Sequence, residues 1–220
     1  MRPEVDAGLV HRLRPAKGPA RPLDRTSADS RLTLRICDTP RVDAEAPTRF
    51  DDQLDHVRAA PVDEGVLELI VRRPADGERE VLDEAHLDQA LGLVGDRWAA
   101  RDVELTPVYL SAQLTLMNTR VLAAIEPDRT RWPLAGDQLY VDLDLREATL
   151  PAGTQLAVGS AIIEVSETPH TGCARFSARF GSEALRWINS SIGRAHRLRG
   201  LNARIVQPGT VHVGDAIRRR

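Results

Sequence analysis

Aromatic residues are scarce, 4 % of the 220, which argues against a surface on which bases would stack. Neither charge sign dominates: 30 basic residues face 32 acidic ones, for a net charge of −2. That balance gives no reason to expect binding to nucleic acid or to a membrane surface. The apolar runs fall far short of a bilayer span, and the first residues, Met1-Arg2-Pro3-Glu4, carry no apolar stretch of the secretory kind. Cysteine occurs twice, at Cys37 and Cys173. Two thiols so far apart make a disulfide framework improbable and a reducing cytoplasm the expected compartment. There is no C-x-x-C, the six histidines are dispersed, and so no zinc spacing is present. A Gly-x-Ser-x-Gly elbow is missing too.

What remains is enough for one domain: 42 % of the chain is apolar. Residues 1–31 are rich in Arg, Pro, Ala and Asp and have no apolar period, so they are expected to stay disordered. Residues 32–37 alternate weakly (Leu32, Leu34, Ile36) and predict a short strand. Phe50, Leu54 and Val57 stand at helical spacing, stopped by Pro61. These pieces form an N-terminal extension, 1–61, ahead of a domain over 62–220.

Within the domain, residues 66–71 are apolar at nearly every position and read as a strand, with Pro74 and Asp76-Gly77 supplying a turn. Asp83 predicts a cap for a short helix over 84–91 that stops at Gly92. Residues 113–125 fit either a strand or a helix, with a strand followed by a helical turn the preferred reading. Short Gly-punctuated strands are predicted over 138–143, 155–158, 161–165 and 210–213. Ser182 predicts a capped helix to Asn189, with a second helical piece over 192–198 ending at Gly200. Two stretches echo each other: Pro151 to Ile162 and Pro208 to Ile217 both read as turn, strand, Gly bend, strand. Many short strands and few helices predict a mainly β protein, a small closed β-barrel with a few short helices.

Three constellations are able to carry chemistry. In Pro169-His170-Thr171-Gly172-Cys173-Ala174-Arg175-Phe176, a thiol near a helix start has His170, Arg175 and Arg179 close by. A positive field there lowers the thiol pKa and favours thiolate, the form that binds metals and attacks electrophiles. A buried structural cysteine would be written in the same letters. In Gly92-Leu93-Val94-Gly95-Asp96-Arg97-Trp98, paired glycines allow close backbone approach to a ligand, and Arg97 is able to clamp an anion. A helix cap with a surface Asp96–Arg97 pair fits as well. A phosphate loop does not, because the Gly-Lys-Ser/Thr ending is missing. Asn118, Arg120, Arg199, Asn202 and Arg204 sit within apolar text, suited to an anionic, hydrogen-bonding ligand or to solvated loop ends.

The Gly95-Asp96-Arg97 loop, the His170-Thr171-Gly172-Cys173 segment, and Ala203-Arg204-Ile205-Val206 with Gly209-Thr210-Val211-His212-Val213-Gly214-Asp215 together resemble the MOSC domain. That domain occurs at the C-terminus of molybdenum cofactor sulfurases and in small stand-alone bacterial proteins. The resemblance runs from about residue 62 to 218. It implies a β-rich barrel in which Cys173 is the catalytic residue and the ligand of molybdenum in a pterin cofactor. It implies a cofactor site drawn from Gly95, Asp96, Arg97, Asn118, Arg120, His170, Thr171 and Arg204. Members with known activity reduce N-hydroxylated compounds; others are thought to carry a persulfide on the same cysteine. The expected function is therefore an oxidoreductase acting on N-hydroxylated or N-oxide compounds and supplied by an external electron-donor protein. The alternative is a non-catalytic carrier that takes sulfur from a sulfur donor or docks the cofactor. Pyridoxal phosphate is not expected, since nothing here resembles the sulfurases' other domain.

Overall fold

The computed structural model describes residues 48–99, 104 and 106–220. Cys37 and the strand expected over 32–37 lie outside them. The first described elements are a 3-10 turn, Asp51–Gln53, and helix α1, Leu54–Arg58. Phe50, Leu54 and Val57 are buried as their spacing predicts, in the same apolar cluster as Val121 and Trp187. The Phe50 and Trp187 rings lie 5.3 Å apart, so this helix shares its core with the later elements.

Strand β1, Glu64–Arg72, is followed by β2, Glu80–Leu82, β3, Glu84–Asp88, and β4, Gly92–Leu93. Here the sequence reading fails: the helix expected over 84–91 is β3. Its apolar residues Ala85 and Leu87 are buried while Glu84 and His86 are exposed, the two-residue period of a strand. Gly92 does not end a helix but turns the chain, at φ +70°, into β4. Then come α2, Pro107–Leu110; β5, Leu114–Asn118; and α3, Thr119–Ile125, the strand and helical turn expected of that stretch. A 3-10 segment, Arg129–Ala135, leads to β6, Leu139–Asp142. Strands β7, Gln155–Val158, and β8, Ala161–Val165, form a hairpin. Helices α4, Ala174–Phe180, α5, Ser182–Asn189, and α6, Ser191–Ala195, follow in a row. Gly181 rather than Ser182 is the residue before α5. Helix α6 is shorter than expected because Arg197 turns out of the helical region at φ +45°. The chain ends with β9, Leu201–Gln207, β10, Gly209–His212, and β11, Ala216–Arg219.

Seven strands close a ring in the order β1-β6-β5-β9-β8-β7-β11 and back to β1. Only β5 and β6 run parallel; the other neighbours are antiparallel. Closure leaves the barrel without exposed edges, and β2 adds to the far end of β1. Strands β10, β3 and β4 form a separate small sheet. The echo noted in the sequence therefore does not mark a repeated unit: its first copy is a hairpin, its second splits between two sheets.

The apolar character of β1, β5 and β6 has a direct cause. Ile70, Leu116, Leu139 and Val141 fill the barrel. Their neighbours Val71, Met117 and Tyr140 face outward into a second core built by α1 and α3 to α5. Strands covered on both faces cannot alternate with polar residues. Gly200, between α6 and β9, locks the helices to the barrel: it holds φ +89°, and a Cβ there would sit 1.9 Å from the Leu116 carbonyl oxygen. Gly200→Ala is expected to cost more than about 2 kcal/mol by chemical denaturation, since strain and clash add at one position. A cost under about 0.5 kcal/mol would show that the close approach is not needed.

Candidate functional site

The link from β8 to α4, residues 166–173, is tied down at several points. Asn202 Nδ2 donates to the Thr168 carbonyl at 3.0 Å, and the hydroxyls of Ser111 and Thr168 are 2.6 Å apart. Asn189, at the end of α5, clamps Gly172 from both sides: it accepts from the Gly172 N–H at 2.9 Å and donates to the Gly172 carbonyl at 3.1 Å. A Cβ at Gly172 would lie 2.7 Å from both Ile188 Cδ1 and Leu185 Cδ1. The glycine lets the chain press closely onto these side-chain ends of α5 one residue before the cysteine. Cys173 is then presented exposed at the start of α4. Its thiol is held below the ordinary cysteine range, chiefly by the Phe176 backbone N–H; burial opposes this, and the Arg175 N–H and the Arg199 and Arg175 guanidiniums add to the lowering.

Beneath this link lies a run of four consecutive carbonyls, each accepting from a different arginine. Pro133 O accepts from Arg79 Nε at 3.2 Å and Leu134 O from Arg179 Nη1 at 2.6 Å. Ala135 O accepts from Arg199 Nη2 at 3.0 Å and Gly136 O from Arg73 Nη1 at 2.8 Å. Arg199 also binds both oxygens of the fully buried Asp137, at 2.9 and 2.7 Å, and stands 5.3 Å from the Phe176 ring centre. Arg73 binds Asp96 through Nε and Nη2, at 2.8 and 2.9 Å. Each carboxylate offsets the charge of its arginine, as burial requires.

The residues expected at the site divide accordingly. Asp96 is buried, and beyond Arg73's guanidinium it accepts from the N–H groups of Arg73 and Trp98. Its acceptor capacity is thus spent on shaping the loop. Gly95, at φ +81°, packs against the Arg72 side chain. Arg97 pairs with Asp76, which also binds Arg175 of α4 at 3.2 Å, so Arg97 belongs to the Cys173 flank. His170 Nδ1 lies 3.5 Å from Asp137. Its pKa is pushed down to about 3, by burial first and by the Arg199 charge second, so it is a neutral ring. Thr171 is exposed beside it. Asn118 caps α3 and donates to the Leu143 carbonyl. Arg120 grips Asp142 with two nitrogens and Arg204 binds Glu164 across the β8–β9 pair. These three make no hydrogen bond or ion pair with residues 169–173. The sequence reading missed Asp137, Arg73, Arg79 and Asn189, whose partners lie far off along the chain.

Behind the link is a cavity of about 480 Å³, lined among others by Ser166, Thr168, His170, Asn189, Arg194 and Arg197. Ser166 and His170 line it, and their Oγ and Nδ1 atoms are buried without a hydrogen-bond partner, Nδ1 lying 3.5 Å from Asp137. Its size is that of ordinary small-molecule sites. Among the described residues no group of three or more His, Cys, Asp or Glu side chains is placed to hold a metal ion. No helix there is long and apolar enough to cross a membrane.

The MOSC domain family matches residues 106–218. Among solved structures, YuaD from Bacillus subtilis superposes with a TM-score of 0.53 at 16 % identity, over 70 % of this chain and 94 % of that one. YiiM from Escherichia coli gives a TM-score of 0.48 at 20 % identity, over 70 % and 69 %. The likeness to YuaD shows a shared barrel fold. No curated protein matches the chain.

The His170 geometry makes a pH prediction. An unfolded histidine takes up a proton near pH 6.5, whereas folded His170 resists protonation to about pH 3. Its contribution to stability is complete above about pH 6.5 and is lost as the pH falls towards 3. Denaturation midpoints should therefore fall more steeply with acid in the wild type than in His170→Gln over that window. Parallel profiles would contradict the burial of the neutral ring.

Proposed function

Because the chain belongs to the MOSC domain family, a family associated with the molybdenum cofactor, we propose that it binds that cofactor through Cys173 and reduces N-oxygenated compounds. The observation that carries this reading is one exposed thiol held towards thiolate among guanidiniums. The residues suit the group. Molybdenum favours a soft thiolate, and a metal already held by a pterin dithiolene needs one protein sulfur rather than a cluster of side chains. The phosphate-bearing pterin is anionic and rich in hydrogen-bonding atoms. Arginines surround the Cys173 link, and the cavity beside it is lined by the polar residues Ser166, His170, Arg194 and Arg197.

When bound, the cofactor supplies the two-electron redox chemistry. The chain supplies the rest. Gly172 and Asn189 fix the approach of Cys173. The Phe176 backbone N–H first, then the Arg175 N–H and the Arg199 and Arg175 guanidiniums, lower the pKa of its thiol. His170, a neutral ring, adds no positive charge and is able to donate or accept one hydrogen bond. In the overall reaction an N–OH compound takes up two electrons and two protons, its N–O bond breaks, and the amine and water leave. The electrons come from an external donor protein. The same exposed thiol also suits a sulfur carrier, in which Cys173 would hold a persulfide without turnover.

Metal and pterin analysis of freshly purified protein, with an N-hydroxy reductase assay driven by reduced viologen, separates the readings. The enzyme reading expects bound molybdenum and turnover, with Cys173→Ser losing at least about 90 % of the metal, because a hydroxyl is a hard, barely ionised donor. One extra sulfur atom on Cys173 without metal would establish the carrier. Full metal and activity in Cys173→Ser would remove the cysteine from both.

A further inference from the structure

The four arginines beneath the Cys173 link are not equivalent. Arg199 has Asp137 and Arg73 has Asp96. Arg79 and Arg179 have no carboxylate: among the described residues neither forms an ion pair. Arg79 gives Nε to Pro133 O and Nη1 to Glu78 O, and Arg179 gives Nη1 to Leu134 O, which leaves Arg79 Nη2 and Arg179 Nη2 undirected. Both side chains are half-buried, and a guanidinium does not shed its proton.

These two arginines face the same small space. A Cβ built on Gly136 would lie 3.6 Å from Arg79 Nη2 and 3.7 Å from Arg179 Nη1. The two guanidinium ends therefore converge beside the Gly136 backbone. Arg73 and Arg97 add positive charge around it, and burial together with the Arg179, Arg73 and Arg97 charges disfavours the charged form of Arg79. Two acids of this region are already committed: Asp96 is saturated, and Asp76 is shared by Arg97 and Arg175. Backbone carbonyls explain one or two donors of each arginine but not the unmatched charge.

The geometry points to a tetrahedral dianion, a phosphate or phosphate-monoester group, bridging Arg79 and Arg179 over Gly136. It is the counter-charge that Asp137 and Asp96 provide for the other two arginines. Two guanidiniums are the usual partners of such an oxyanion. Arg175 and Arg179 are four residues apart on one face of α4, so the seat lies along that helix from Cys173. Only an assignment of the anion to the cofactor's own phosphate rests on the function proposed above; the seat itself does not.

Calorimetric titration of the full, cofactor-free chain with inorganic phosphate tests it. One saturable site is expected. Arg79→Gln and Arg179→Gln should each weaken it about tenfold or more, and the matching Lys variants should recover part of the loss. Arg218→Gln, on β11 and paired with Glu64, should bind like the wild type. Thermal unfolding without phosphate checks that each variant is folded, and two independent positions guard against one that is not. Titration of the cofactor-loaded protein then identifies the source. If phosphate no longer binds and Arg179→Gln lowers pterin content, the seat takes the cofactor's phosphate; if phosphate binds as before, it takes a separate anion. Cys173→Ser should bind phosphate normally in the cofactor-free state whether or not it loses molybdenum. Absence of saturable phosphate binding by the cofactor-free wild type, or folded Gln variants that bind like it, would overturn the inference.

Discussion

The carbonyls of residues 133 to 136 lie at the end of a 3-10 segment; Pro133 O accepts from the Gly136 N–H, and all four accept from arginine side chains. Buried carbonyls must be paired, and here the pairing has large structural reach. Arg73 comes from just past β1, Arg79 from the approach to β2, Arg179 from α4, and Arg199 from the turn into β9. Four parts of the chain are thereby fixed around one short segment. The charges brought in with them are matched within the protein for two arginines only. Arg199, which caps Ala135 O, also helps to lower the pKa of the Cys173 thiol. Asp137 and Arg199 are the centre of this arrangement: removing either would strand a buried charge, a change that typically costs several kcal/mol.

The second organising feature is the two-sided burial of β1, β5 and β6. Filling the barrel with one set of side chains and covering its outside with another creates a platform on which α4 and α5 rest. Phe176 and Trp187 are the large anchors of that layer. The Cys173 link runs between barrel and helices. Gly172 is pressed on α5 and Thr168 is tied to β9 through Asn202, so the thiol is exposed on a constrained path. Exposure and constraint together are what a metal-binding or sulfur-carrying thiol requires.

Much of this was legible in the letters, for a physical reason. Strands buried on both faces read as continuous apolar runs, and Gly-rich turns punctuate the others, so the barrel follows from pattern alone. β3 was misread because it has only two buried residues, Ala85 and Leu87, too few for a period to declare itself before Gly92. At the site, Cys173 is visible because Arg175 and Phe176, its neighbours in sequence, are its neighbours in space, whereas His170 meets Asp137 and Arg199 from far along the chain. Asp137 and Arg73 were not visible, because Arg199 meets Asp137 from 62 residues away and Arg73 meets Asp96 across 23. Arg120 and Arg204 show the converse. They are the right residue type for an anion, but each meets an acid on a neighbouring strand, Asp142 and Glu164, and those partners are set by strand packing and register rather than by local sequence.

The account rests on Cys173 being the protein's donor to the metal. X-ray absorption at the molybdenum edge of the cofactor-loaded wild type tests that most directly. The account predicts a thiolate sulfur neighbour in addition to the dithiolene pair. A first shell holding the dithiolene sulfurs alone, with oxygen making up the rest, would contradict it.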